Sequence, residues 1–174
     1  MNIVIIGTGY VGLTTGLGFA GLGHRVACVD KDTIKIGKLD LGQPPFYEPD
    51  LEETLRRLHE QGQIIFTTDL SSVINQADLL MIAVQTPPKA NGDADLSYVM
   101  GVADEIGKQL SHEAIVVVKS TVPVGTNRRV LDVIRMQMVE QGTAELAGLI
   151  QIASVPEFFR EGAAIRDFIE PDRI

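Results

Sequence analysis

Apolar positions in this chain fall into short continuous runs, separated by longer stretches in which apolar residues recur at helical spacing. The short runs are rich in Val and Ile and cover residues 3–6, 25–29, 64–67, 79–84, 114–119 and 149–153. A strand with one wet face would alternate apolar and polar residues. A continuous run suits a strand covered on both faces of a parallel sheet. The longer stretches, 10–22, 32–41, 50–61, 71–76, 95–110 and 126–141, predict helices. Boundary signals agree with several of them. Asp50 stands three residues before Glu53 in a D-x-x-E capping pattern, with Pro49 preceding it. Gly125 precedes the 126–141 stretch and Gly142 follows it. Strands alternating with helices in this order predict βαβ units and a doubly wound α/β sheet, mostly parallel, of about six strands with helices on both faces.

Composition narrows the class. The chain has 174 residues, 45% apolar and 22% charged, which is the composition of one globular domain spanning residues 1–174. Fifteen Lys and Arg against 23 Asp and Glu give a net charge of −8, which argues against nucleic acid as a partner. It leaves room for an anionic ligand, because backbone N–H groups bind phosphate without any net positive charge. Cys28 is the only cysteine and is read as a small core residue; no internal disulfide can form, and a reducing, cytoplasmic setting is expected. Three scattered histidines, His24, His59 and His112, offer no zinc-type cluster, so no metal site is expected. The apolar start, Met1-Asn2-Ile3-Val4-Ile5-Ile6, is too short and uncharged for a signal peptide, and no run approaches the roughly 18 apolar residues of a membrane span.

Two Pro/Gly-rich stretches, 42–49 and 86–92, fall where binding loops of open α/β sheets lie. The chain closes on an apolar residue, Ile174, as though another element were to follow.

The chemistry concentrates at strand ends. Gly7-Thr8-Gly9-Tyr10-Val11-Gly12 fits G-x-G-x-x-G directly after the first strand and opens the first helix. Gly7 permits the tight turn, Gly9 lets a pyrophosphate approach the backbone, and Gly12 allows helix and strand to pack closely. The helix N-terminus adds unpaired N–H groups and about half a positive charge. The second strand ends in Asp30, 18 residues after Gly12, where a carboxylate accepts the ribose hydroxyls of adenosine and repels a 2′-phosphate. Together these signals predict a Rossmann-like dinucleotide domain using NAD rather than NADP. Two later strand ends, Val84-Gln85-Thr86-Pro87-Pro88 and Lys119-Ser120-Thr121-Val122-Pro123-Val124-Gly125-Thr126, carry hydroxyls able to hold a ribose, a nicotinamide or a water, or simply to cap turns. In Pro156-Glu157-Phe158-Phe159-Arg160-Glu161-Gly162 two carboxylates would share one face if the stretch were helical, one as a general base and one as a polar anchor.

These residues resemble the nucleotide-sugar dehydrogenase family. The resemblance runs the length of the chain, through the glycine-rich turn, Val29-Asp30, Phe46-Tyr47-Glu48-Pro49, Ala94-Asp95-Leu96-Ser97-Tyr98-Val99, residues 119–126, residues 156–162, Asp167-Phe168 and Pro171-Asp172-Arg173-Ile174. It implies a four-electron oxidation with two NAD, taking a sugar C6 alcohol to a carboxylate through an enzyme-bound thioester. By the same resemblance Val11, Asp30, Lys35, Thr86, Thr121 and Glu161 contact NAD, alongside Gly7, Gly9, Tyr10, Gly12, Pro87 and Ser120 of the same motifs. Glu157 is the implied acid/base or water-activating carboxylate, with Thr121 helping to hold the water. Glu157, Phe158, Phe159, Arg160 and Glu161 form the implied substrate-contacting stretch.

The Glu157-Phe158 pair points to the UDP-glucose type rather than the UDP-N-acetylmannosamine type. Glu161-Gly162 and Pro171-Asp172-Arg173 lean away from the GDP-mannose type. Val155 replaces a usual Asn, Gln85 a usual Gly or Pro, and Pro88 a small polar residue. The family's catalytic cysteine, a substrate-polarising lysine and its partner asparagine, the connecting helix and the sugar-nucleotide domain lie beyond the part of the family that these residues match. The resemblance therefore implies an isolated chain that binds NAD without turning over, a nucleotide-sugar substrate such as UDP-glucose held mostly elsewhere, and a homodimer at full length. Alternatives are a free-standing NAD-binding module, a GDP-mannose or other nucleotide-sugar enzyme, and another dehydrogenase with the same fingerprint.

Overall fold

The computed structural model describes residues 1–155 and 157–171, so Pro156 and the Asp172-Arg173-Ile174 part of the family resemblance lie outside the described residues. Six strands form one sheet: β1 (Asn2–Ile6), β2 (Arg25–Val29), β3 (Ile64–Thr67), β4 (Leu79–Ile82), β5 (Ile115–Val118) and β6 (Gln151–Ser154). Every pairing is parallel and the order is β3-β2-β1-β4-β5-β6. The chain thus winds outward from β1 in one direction and then in the other, and the direction reverses between β1 and β4. That is the Rossmann-like topology expected from the alternating runs, and it opens a crevice beyond the carboxyl ends of β1 and β4. In register, Ile5 sits beside Cys28 of β2 on one side and Met81 of β4 on the other.

The continuous apolar runs are explained by burial on both faces. Val4, Ile6, Leu80, Ile82, Val116 and Val118 pack toward α4 (Ser97–Gln109) and α5 (Thr126–Glu140), which contribute Val99, Ala103, Ile106, Val130, Ile134 and Met138. Ile3, Ile5, Cys28, Ile64, Met81 and Val117 pack on the other face toward α1 (Tyr10–Gly21), α2 (Thr33–Asp40) and α3 (Leu51–Glu60). Leu51, Leu55 and Leu58 of α3 are fully buried at helical spacing. Each contributes about 1.5–3 kcal/mol of transfer free energy.

Helix α1 reads apolar all round because it is covered all round. The sheet lies on one side and α7 (Ala164–Ile169) on another, and glycines at the contacts let both approach. A Cβ on Gly16 would stand 2.8 Å from the Cys28 sulfur, and one on Gly18 would fall inside the Phe168 ring. Phe168 also meets Phe19 edge-on, with ring centroids 5.0 Å apart.

Two expectations about local structure need correction. Residues 71–76 form two 3₁₀ turns, Leu70–Ser72 and Ile74–Gln76, rather than a helix. Asp69 accepts the Ser71 N–H at 2.9 Å and the Ser72 hydroxyl donates to the Asp69 carbonyl at 2.7 Å, so side chains take the bonds a helix would use. Asp50 adopts a left-handed backbone conformation (φ 61°) and makes no side-chain cap; Glu52 and Glu53 supply negative charge to the first turn of α3 instead. Two short helices, α6 (Ala144–Ala147) and α7, carry no prior signal in the sequence. Among the described residues no helix is long and apolar enough to cross a membrane.

Candidate functional site

The crevice between the β1 and β4 ends is a cleft of about 740 Å³ whose walls include Gly7, Gly9, Asp30, Lys35, Val84 and Tyr98. Its floor is the glycine-rich turn. Gly7 has φ +106°, and a Cβ there would meet the Ala83 carbonyl oxygen at 2.6 Å. A Cβ on Gly12 would land on the Gly7 carbonyl, so only glycine lets the turn close onto α1. Gly9 differs: a Cβ there meets nothing within 4 Å, so that position is bare toward the cleft. It is also the N-cap of α1, and its side-chain-free backbone leaves the first N–H groups of the helix accessible to an anion.

Asp30 stands at the end of β2 on the rim of this turn, partly buried. Its Oδ2 accepts the Thr8 N–H at 2.9 Å, the Thr8 hydroxyl at 2.7 Å and the Lys35 ammonium at 2.8 Å. Oδ1 accepts the Asp32 N–H at 3.1 Å. Burial pushes this carboxyl upward, but the hydrogen bonds from Lys35, Thr8 and Asp32 outweigh it and hold the group at about 2. The carboxylate is therefore ionised and its plane fixed, with the Oδ1 side holding one donor here. Thr8, fully buried, was not singled out by the sequence; its signal was its place between the two glycines, one residue from each. At the far lip the Lys31 ammonium lies 4.8 Å from the centre of the Tyr98 ring.

The two other strand ends meet each other. The Thr86 hydroxyl donates to the Thr121 carbonyl at 2.9 Å, and the Ser120 hydroxyl to the Val84 carbonyl at 2.5 Å. Pro87, whose carbonyl receives the Asp95 N–H at 2.8 Å, and Thr121 are both exposed. Lys119, at the end of β5, is buried with its ammonium 5.0 Å from the centre of the Phe159 ring. Desolvation lowers its pKa, and the Glu157 charge acts in the opposite direction. Cys28 is fully buried and its thiol is pushed up to about 12 by that burial.

Residues 157–162 are not helical, so Glu157 and Glu161 do not share a helix face. Carboxylates capture the N–H groups that a helix would use. Glu157 accepts from the Phe159 N–H, Asp167 from the Arg160 N–H at 2.9 Å, and Glu48 from the Gly162 N–H at 2.9 Å. The Arg160 guanidinium also holds Asp167, whose carboxyl falls to about 2 as a result. Phe158 is 56% exposed, whereas Phe159 is partly covered by Phe168 and Lys119. This stretch is joined to the glycine-rich turn through Tyr10, whose hydroxyl lies 3.1 Å from Glu48 Oε2 and 3.3 Å from the Arg160 carbonyl. Burial and the neighbouring Glu48 raise the Tyr10 pKa. Val11, the next residue of the turn, is partly buried. Among the described residues no cluster of His, Cys, Asp and Glu could hold a metal ion.

The family model for the UDP-glucose/GDP-mannose dehydrogenase NAD binding domain matches residues 1–174. The chain belongs to that family. NAD is accordingly its cofactor, and the bare Gly9 position, the exposed helix N-terminus and the ionised Asp30 suit a dinucleotide. Within the family it is 42% identical over 174 residues to a UDP-glucose 6-dehydrogenase of Pseudomonas aeruginosa, covering all of this chain and 38% of that protein. It is 46% identical over 175 residues to a UDP-glucose 6-dehydrogenase of Rhizobium meliloti, with the same coverage. Among solved structures it resembles a UDP-glucose dehydrogenase of Pyrobaculum islandicum, with a TM-score of 0.84, 40% identity, and coverage of 98% of this chain and 39% of that one. A GDP-mannose dehydrogenase of Pseudomonas aeruginosa gives a TM-score of 0.86 at 35% identity, covering 97% of this chain and 38% of that one. The chain thus spans little more than a third of the relatives it matches.

Proposed function

We propose that this chain is the NAD-binding part of an enzyme that oxidises UDP-glucose, or a closely related nucleotide sugar, at C6 to the uronate with two NAD. The observation that carries the reading is the Asp30 carboxylate, ionised and held by Thr8 and Lys35 at the rim of a turn that requires glycine at positions 7 and 12. Identity of 42–46% to UDP-glucose 6-dehydrogenases favours that substrate class.

Each residue then has a task. The N–H groups opening α1 bind the pyrophosphate across Gly7, Gly9, Tyr10, Val11 and Gly12. Asp30 accepts the adenosine ribose hydroxyls, with Lys35 holding its charge in place. Thr86, Pro87, Ser120 and Thr121, brought together at the β4 and β5 ends, line the nicotinamide half together with Glu161. Bound NAD supplies the hydride acceptor. Glu157 takes a proton from the attacking water in the hydrolytic step, with Thr121 orienting that water and residues 157–161 touching the sugar. A thioester needs a thiolate, and Cys28, buried and with its thiol raised to about 12, supplies none. The chain alone therefore binds NAD but forms no uronate.

Calorimetric titration decides the cofactor assignment: NAD binds the chain at least about tenfold more tightly than NADP, because the 2′-phosphate meets Asp30. Equal or reversed preference removes the assignment. Steady NADH formation from UDP-glucose by the chain alone would overturn the division of labour.

A further inference from the structure

We infer that Glu48 is a positioning residue: it fixes residues 157–162 against the glycine-rich turn and so sets where Glu157 and Glu161 stand relative to the dinucleotide cleft. The inference rests on the proposal that the nicotinamide half of NAD reaches Glu161. Glu48 comes from the loop between α2 and α3 and is only 5% exposed. Its Oε1 accepts the Ala164 N–H at 2.7 Å; its Oε2 accepts the Gly162 N–H at 2.9 Å and faces the Tyr10 hydroxyl at 3.1 Å. The amides lie 114 and 116 residues further along the chain.

The stretch it holds has no regular structure of its own. The carboxylates of Glu157 and Asp167 that take up the N–H groups of Phe159 and Arg160 belong to the same C-terminal segment. Those bonds shape the segment but do not tie it to the rest of the domain. Glu48 holds its backbone amides from outside, beside the Tyr10–Arg160 contact and the packing of Phe168 on α1, and it shares Tyr10 with the turn that floors the cleft. The residue type is dictated by the bonding. A carboxylate accepts at both oxygens, so both amides are satisfied whichever way the group turns. A glutamine of the same shape must point its NH₂ at one amide N–H, leaving a buried donor facing a donor.

Glu48→Gln in this chain is the test, read by amide hydrogen exchange and by calorimetry with NAD and with ADP-ribose, which lacks the nicotinamide. Exchange at Gly162 and Ala164 accelerates about tenfold or more, the loss of a hydrogen bond to a charged acceptor, while the β1 amides keep their protection. NAD affinity falls about five- to tenfold and ADP-ribose affinity stays unchanged. Unchanged exchange at Gly162 and Ala164 overturns the inference. So does equal weakening of both ligands, which would reduce Glu48 to a general support of the fold. If wild type holds ADP-ribose as tightly as NAD, the reading of the nicotinamide site fails instead, and the inference falls with it. Should Glu48→Gln fail to fold, Glu48→Asp keeps the charge but withdraws the carboxylate from both amides: faster exchange at Gly162 and Ala164 supports the link, and unaltered exchange at both overturns it.

Discussion

The Thr8 hydroxyl donates to Oδ2 of Asp30 at 2.7 Å, joining the variable position of the glycine-rich turn to the end of the next strand. The Thr8 N–H reaches the same oxygen at 2.9 Å. The turn proposed to receive the pyrophosphate and the carboxylate proposed to hold the ribose are thus one hydrogen-bonded unit. Their separation is fixed before any ligand arrives, which lowers the ordering cost of binding.

Thr8→Val keeps the shape and the backbone donor but removes the hydroxyl. Asp30 loses one of its donors in a partly buried setting, so stability falls by about 1 kcal/mol and NAD affinity by several-fold. Urea unfolding and calorimetry on the same sample measure both, and an affinity equal to wild type would show that the unit is not preorganised.

Gly9→Ala and Gly12→Ala should separate ligand space from fold. At Gly9 an added methyl meets nothing and φ is −72°, so the stiffer unfolded chain offsets the poorer N-cap and stability stays within about 1 kcal/mol, while NAD binds more weakly. At Gly12 the methyl collides with the Gly7 carbonyl, so stability drops by about 1–3 kcal/mol. Comparable stabilities for the two variants would contradict this geometry.

Acid should weaken the domain partly through Asp30. Its folded carboxyl lies at about 2, below the unfolded value of about 3.9. The unfolded chain therefore takes up the proton first as pH falls. The stabilisation is complete above about pH 4, is lost toward pH 2, and is of order 1 kcal/mol after allowance for partial solvation. Asp30→Asn lacks this limb, so the stability gap between the two proteins narrows across that window. Asp167, also held at about 2, titrates in both and cancels. A gap independent of pH would refute the assignment.

Cys28 should be silent toward thiol reagents in the native state at pH 8 and react only on unfolding. It is fully buried against α1, where Gly16 leaves room for its sulfur. Rapid native labelling, compared with labelling in denaturant, would disprove the packing.

Legibility in the sequence followed the range of the interactions. The strands lie close to the apolar runs because burial on both faces leaves a continuous signature, as in Val116, Val117 and Val118. Asp30 and the turn glycines were readable because one βαβ unit places them by local geometry. Asp69 and its serine neighbours defeated the helix reading at 71–76 because side-chain bonds to the backbone carry no hydrophobic period. Helix α7 stayed invisible because Phe168 is meaningful only against Gly18 and Phe19.

The amino-acid order alone determined the doubly wound sheet and the dinucleotide turn, since periodicity, glycine placement and strand-end chemistry are all short-range properties, and the resemblance of motifs along the whole chain pointed to the family. Tertiary structure alone decided what Glu48 does and how residues 157–162 lie. Their bonds close between segments more than 100 residues apart, and no local pattern of side chains encodes which distant amide a buried carboxylate will receive.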